Sequence, residues 1–270
     1  MQYKHFKEKL NSKIFLSNDD LNLEILTTVI NSPERYIGLF RVTNAKTKLI
    51  QNLTQSHEIK FGDFIEDILT EYIAEMGYEN LDKNIGFDEK GDRLNSDQIF
   101  KDKSNFIYLI EQKIRDDHDS TKKRGQYANF IKKIRTIKEK YPNHKIIASM
   151  CFSDTWLRKN RKYYLEQIAN NTDDLVKLHI FYGDEIFINL FNRIDIWNEL
   201  ISHLRQNKSE RCKDILSVPD FDTSTEIKNA LIKLKRENPK LIKKLLSDNP
   251  KFVELRKELF PTGANLKAIL

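Results

Sequence analysis

The sequence predicts an α/β core with a mixed or largely parallel central sheet flanked by helices, followed by a C-terminal helical appendage. Three observations carry that expectation. Strand-like apolar runs alternate with amphipathic helical stretches from Phe61 onward, as they do when helices connect the strands of one sheet. The run "FIYLIEQKI" (Phe106 to Ile114) is apolar without alternation, which suits a strand covered on both faces. Finally, 39% apolar residues and 10% aromatics in a chain of 270 residues are enough for a sizeable core.

Taken in order, residues 1–60 form an N-terminal segment in which "LNLEILTTVI" (Leu21 to Ile30) reads as helix and "RYIGLFRV" (Arg35 to Val42) as a short strand or extended piece. We expect this segment to serve DNA recognition or dimerisation. The core spans 61–205. It opens with a helix whose stripe is Phe61, Phe64, Ile65, Ile68, Leu69, Tyr72, Ile73 and Met76, stopped by Gly77. A turn-rich link, "NIGFDEKGDRLNSDQIF", leads to the buried strand. The next helix takes Asp119 or Ser120 as its cap and buries Tyr127, Phe130, Ile131, Ile134 and Ile137 before Tyr141 and Pro142 end it. Strands over Lys145 to Phe152 and Val176 to Tyr182 follow, with helices near Trp156 to Ala169 and from about Asp184 to Leu204. Residues 206–270 read as three short helices, the first capped by a Thr223 and Glu226 box and the others opening at the two "NPK" phrases, Asn238 and Asn249.

Composition narrows the function. A net charge of +6 with 32% charged residues favours a polyanionic partner, nucleic acid first. Cys151 and Cys212 form no CxxC pair and have no His clustered beside them, so neither a disulfide framework nor a zinc site is expected. No apolar run approaches a membrane span and the N-terminus has no leader pattern, so the expected location is the cytoplasm, without membrane contact. There is no G-x-x-x-x-G-K-[ST] and no H-E-x-x-H, which leaves no nucleotide cofactor to expect. "ERYIGLF" matches half of a GIY-YIG signature, but Gly38 is the first glycine of the chain, so the other half is missing.

The chemistry concentrates at "YLIEQKIRDDHDSTKKRGQ" (Tyr108 to Gln126). On a strand, residues two apart share a face, so Glu111 and Lys113 project together above Ile107 and Leu109. Asp97 begins a second strand-like piece upstream, and an antiparallel pairing would set it beside Glu111. Two carboxylates and a lysine then meet, a set suited to Mg²⁺ and phosphodiester hydrolysis. Asp88 and Asp92 lie in the same link and remain alternatives to Asp97. Glu66, on the preceding helix, can face inward.

Asp97 followed by Glu111, Gln112 and Lys113, in an α-β-β-β-α-β order, resembles the PD-(D/E)xK nuclease superfamily over about Phe61 to Phe152, and chain size and composition resemble a type II restriction endonuclease. The resemblance implies Asp97 and Glu111 as Mg²⁺ ligands, Lys113 serving the attacking water and Glu66 in support. It also implies prokaryotic origin and double-stranded DNA as substrate. The Pro that usually precedes the first Asp is Ser96 here. Homodimerisation is expected from the two-fold symmetry of duplex sites.

The rest of the stretch reads as a phosphate clamp at a helix start: Ser120, Lys122, Lys123 and Arg124, with Gln126 one turn in and able to face the site. Asp116, Asp117 and Asp119 are expected to brace Arg115 and the lysines or to receive helix-terminal amides. Two other functions stay open on sequence alone, a structure-specific or repair nuclease of the same fold and a non-catalytic DNA-binding protein.

Overall fold

The computed structural model describes residues 1–14, 18–38, 40–88, 90–171, 173–211 and 219–269, with the backbone alone described for 18–20. Cys212 lies outside these residues. In chain order come α1 (Tyr3–Ile14), α2 (Asn18–Asn31), a 3-10 turn (Pro33–Arg35), α3 (Ala45–Glu75), β1 (Glu79–Asn80), β2 (Asn84–Phe87), β3 (Arg93–Asn95), β4 (Gln98–Lys101) and β5 (Ile107–Lys113). They are followed by α4 (Ser120–Lys140), β6 (Ile146–Phe152), α5 (Arg161–Ala169), β7 (Val176–Tyr182), α6 (Glu185–Asn189) and α7 (Ile194–Glu210). The C-terminal helices are α8 (Thr225–Glu237), α9 (Pro239–Leu246), α10 (Pro250–Leu259) and α11 (Ala264–Lys267). By contacts the chain divides into two compact units, one of Met1–Phe6 with Gly62–Lys208 and one of Lys7–Phe61 with Ser209–Leu270.

The first unit is built on a five-stranded mixed sheet of order β1-β4-β5-β6-β7. The β1/β4 and β4/β5 pairs are antiparallel, whereas β5, β6 and β7 run parallel. In that register Leu109, Ala148 and Leu178 stand abreast, and they pack with Phe130, Ile134 and Ile137 of α4 and Tyr164 of α5 into one apolar cluster. Gln112 and Cys151 point to the other face, where Ile65, Leu69 and Tyr72 of α3 meet them. Six of the seven residues of β5 are buried, as its unbroken apolar run requires. Burial in this layer pushes the Cys151 thiol up to about 12, so it is an inert packing residue.

The second unit has its own core, in which Ile25, Leu26 and Ile30 of α2, Leu49 and Leu53 of α3 and Leu231, Leu245 and Leu255 of the C-terminal helices are buried together. Glu258 of α10 accepts the Ala45 N–H at the start of α3 at 2.6 Å, satisfying one of the amides that a helix start leaves open.

Several expectations need correction. The helix expected from Phe61 starts at Ala45, because "AKTKLIQNLTQSHEIK" carries no breaker. "RYIGLFRV" is not a strand among its described residues. Pro33 starts a 3-10 turn there, Tyr36 and Ile37 are buried, Gly38 has φ +119° and Phe40 and Val42 are fully exposed, so burial does not alternate. The helix expected over Asp184 to Leu204 is two, broken where Asn192 takes φ +53°. Among the described residues four C-terminal helices stand where three were expected. The first is capped by Ser224, whose Oγ accepts from Ile227 N, while Thr223 donates to Asp220. Asn249 caps α10 through Lys251 N, but Asn238 makes no side-chain cap bond to α9.

Candidate active site

The site grows from the register of β4 and β5. Gln98 pairs with Ile110, so Asp97, one residue before the strand, falls opposite Glu111. Its Oδ2 accepts the Gln112 N–H at 2.7 Å and a hydrogen bond from Lys113 Nζ at 3.2 Å. Lys113 Nζ also donates to Glu111 Oε1 and to the Gln112 carbonyl, both at 2.8 Å. One ammonium thus sits among three oxygens, two of them from carboxylates. Gln98 is itself locked, donating to the Glu66 carbonyl at 2.6 Å and accepting from Thr70 Oγ1 at 2.8 Å. That lock fixes the strand from which Asp97 projects.

Among the candidate first carboxylates, only Asp97 joins this cluster. Asp88 accepts from Lys132 Nζ and from the Lys90 and Asp92 amides in the β2–β3 turn, contacts that hold its carboxyl down at about 2. Asp92 is exposed in the same turn. Ser96 in place of the usual Pro has a local reason: its N–H donates to the Lys83 carbonyl at 2.9 Å, a bond that Pro cannot make.

Glu66 lies at the edge. Its carboxylate accepts from Lys83 Nζ at 2.5 Å and no hydrogen bond links that side chain to Asp97, Glu111 or Lys113. Burial raises its pKa, helped by the negative charge of Asp97 and only partly offset by Lys83. For Lys113, burial works to lower the pKa, but Glu111 and Asp97 outweigh it and hold the ammonium above its ordinary range.

Lys133 of α4 is the residue that the sequence reading missed. Its Nζ donates to Glu111 Oε2 at 2.5 Å and lies 4.0 Å from Asp97 Oδ1, with the two bonded side chains only 7% and 5% exposed. A signal was present, since Phe130, Lys133, Ile134 and Ile137 follow the i, i+3, i+4, i+7 spacing of a buried helical face. A lysine on such a face needs a buried anion.

The segment after Lys113 is arranged differently from expectation. Asp119 caps α4 by accepting from Thr121 N and Lys122 N, so those amides are occupied and a phosphate there would meet side chains. Ser120, Lys122 and Arg124 are exposed. Lys123 lies over the Tyr163 ring at 4.6 Å. Gln126 does not face the carboxylates, because its Oε1 accepts from Tyr164 OH at 3.1 Å. Asp116 is fully buried and accepts from Asn160 N, Asn160 Nδ2 and Tyr182 OH at 2.8, 2.8 and 2.7 Å. It ties the exit of β5 to the start of α5.

Among the described residues no three His, Cys, Asp or Glu side chains converge as a metal cluster. The donor set at Lys113 is therefore two carboxylates and one carbonyl, and it already surrounds a cation. Mg²⁺ commonly takes only one or two protein carboxylates and completes its shell with water and phosphate oxygens. The residues present fit such an ion.

Among the described residues no helix is long and apolar enough to cross a membrane. No curated protein matches the chain. The family described as "Type II restriction endonuclease, HinfI" matches residues 2–90 and 87–208, which include α3, the whole sheet and every residue of the cluster. With that match over most of its length, the chain belongs to the HinfI family of type II restriction endonucleases, site-specific deoxyribonucleases with a PD-(D/E)xK core.

Proposed function

We propose that the protein hydrolyses phosphodiester bonds of double-stranded DNA at a short specific site in a Mg²⁺-dependent reaction centred on Asp97, Glu111 and Lys113. The observation that carries this is the Lys113 ammonium held among Asp97 Oδ2, Glu111 Oε1 and the Gln112 carbonyl. Three oxygens aimed at one cation form a ready acceptor for a hard divalent ion. When bound, Mg²⁺ polarises the scissile phosphate and favours hydroxide over water.

The protein groups then have separate tasks. Asp97 and Glu111 would hold the ion, and Lys133, bonded to Glu111 Oε2, orients that carboxylate. Lys113 stays an ammonium, so it acts as a donor: it orients the attacking water and offsets the charge that grows as the water oxygen bonds to phosphorus and the bond to the leaving oxygen breaks. Glu66 acts through the Lys83 pair at the edge of the site. Ser120, Lys122, Lys123 and Arg124 contact phosphates flanking the cut, a sequence-independent task. Two copies of the chain act together, one on each strand of the duplex, in a prokaryotic cytoplasm.

Incubation with mixed-sequence plasmid DNA and Mg²⁺ gives discrete bands under this reading. Lys113→Ala abolishes cleavage while leaving fold and DNA affinity close to normal, since its charge matters mainly in the transition state. Glu111→Ala stops cleavage and tightens DNA binding in metal-free buffer, because a carboxylate facing the phosphate is gone. Near-normal cutting by folded Lys113→Ala would end the assignment. A smear or a preference for branched DNA would instead support a repair nuclease.

A further inference from the structure

A groove of about 580 Å³ opens past the C-terminal ends of β6 and β7, lined in part by Trp156, Arg158, Asp184, Trp197, Arg205 and Lys208. Strand register sets its place. Lys113, Phe152 and Tyr182 end three neighbouring parallel strands side by side, and the chain leaving β6 is stitched to the chain leaving β5. Ser153 N–H donates to the Lys113 carbonyl and Asp154 N–H to the Ile114 carbonyl, both at 2.8 Å. Asp154 then fixes the turn by accepting from Trp156 N at 2.7 Å. Gly183 has φ +59°, and a Cβ there would meet Thr155 Cγ2 at 2.0 Å, so this loop is packed closely against the end of β7.

That tightly held loop nevertheless leaves the Trp156 indole 91% exposed. A rigid turn presenting a bare indole is costly in water and useful against a flat partner. Across the groove, Trp197, Arg205 and Lys208 share one face of α7 by their helical spacing. Arg158 is engaged by the Thr155 carbonyl, by Glu185 and by the Tyr182 ring. Arg205 and Lys208 have no carboxylate partner among the described residues. Three cations against the single Asp184 make the groove basic, which argues against a second copy of this chain, itself +6, as its occupant.

We propose that the groove holds a stretch of DNA backbone at this end of the sheet, with phosphates on Arg205 and Lys208 and the Trp156 indole against a deoxyribose. The proposal rests on the cleavage reading only for the end of the sheet that DNA approaches. Its test needs no cleavage.

The test uses the full chain and a fluorescently labelled mixed-sequence duplex in EDTA, with binding measured across a salt series. Arg205→Ala with Lys208→Ala should lower the slope of log affinity against log salt by about 2, roughly one for each phosphate left without its cation. Trp156→Ala should weaken binding about tenfold with the slope unchanged, as expected when an uncharged contact is lost and no phosphate is left without its cation. The paired control Lys103→Ala with Lys145→Ala removes the same charge at the opposite, N-terminal end of β5 and β6, and should leave the slope near that of the unaltered protein. Unchanged binding in both groove variants overturns the proposal. So does an equal slope change in the control, which means general charge alone, or a change in solution mass in place of DNA affinity, which means that a second copy occupies the groove. If Lys113→Ala cuts normally while these slopes behave as expected, the cleavage reading fails and the groove stands.

Discussion

Lys133→Met is the most informative perturbation of the site. Methionine keeps most of the length of the buried stem but removes the ammonium from a pair in which Nζ and Glu111 Oε2 are 2.5 Å apart and the side chains 7% and 5% exposed. At that separation and an effective dielectric of about 20, the gross attraction is about 7 kcal/mol, most of it offset by the cost of taking both charges out of water. Breaking one side of a buried pair costs about 3 to 5 kcal/mol, because the remaining charge is left uncompensated. Glu111 keeps Lys113 as a partner at 2.8 Å, so the lower end applies, about 3 kcal/mol. For a chain of this size that is a fall in Tm of roughly 6 to 12 °C. Thermal unfolding followed by circular dichroism at neutral pH measures it. The double variant Lys133→Met with Glu111→Gln should recover most of the loss, since both ends of the pair are then neutral. A Lys133→Met protein melting with the unaltered one, or a double variant no better than the single, would refute the claim that this contact is a buried charge pair.

Three more outcomes are expected. Cleavage requires Mg²⁺ and stops in EDTA, whereas Ca²⁺ supports binding with little cutting because its looser shell activates water poorly; cutting undiminished in EDTA contradicts the two-carboxylate reading. Solution mass with DNA present corresponds to two copies of the chain, and a monomer both with and without DNA rules that out. Asp222→Asn lowers the melting temperature at pH 7. Burial would raise the Asp222 carboxyl, but the backbone N–H groups of Thr262 and Ala264, bonded to it at 2.8 and 3.1 Å, outweigh that and hold it below the usual range. Such a group stabilises the fold above the unfolded carboxylate pKa of about 4 and loses that contribution as pH falls toward its folded value. The gap between variant and unaltered protein should therefore close in acid; a gap that persists at low pH contradicts it.

By itself the sequence determined the class of the fold and the strand that carries the chemistry. A short apolar run bounded by turn-rich segments reads as a doubly covered strand, and on a strand the shared face of Glu111 and Lys113 follows from a period of two. The C-terminal half of α3 and the whole of α4 are legible from their apolar stripes, through the 3.6-residue period of a helix. Where the signal depended on φ, it failed: Gly38 and Asn192 turn the chain in ways that apolar content does not encode, hence the missing strand at Arg35 to Val42 and the broken helix after Asp184. Tertiary structure alone decided which acid joins the cluster and what neutralises it. Asp88, Asp92 and Asp97 are equivalent as letters, and the antiparallel register of β4 on β5 brings only the last to Lys113. Lys133 reaches Glu111 from 22 residues away in the chain, and Asp116 reaches Asn160 and Tyr182 from farther still. Such contacts depend on how a helix is rotated on the sheet and on how strands are shifted along one another. Those quantities come from the packing of the whole core, and no local periodicity records them.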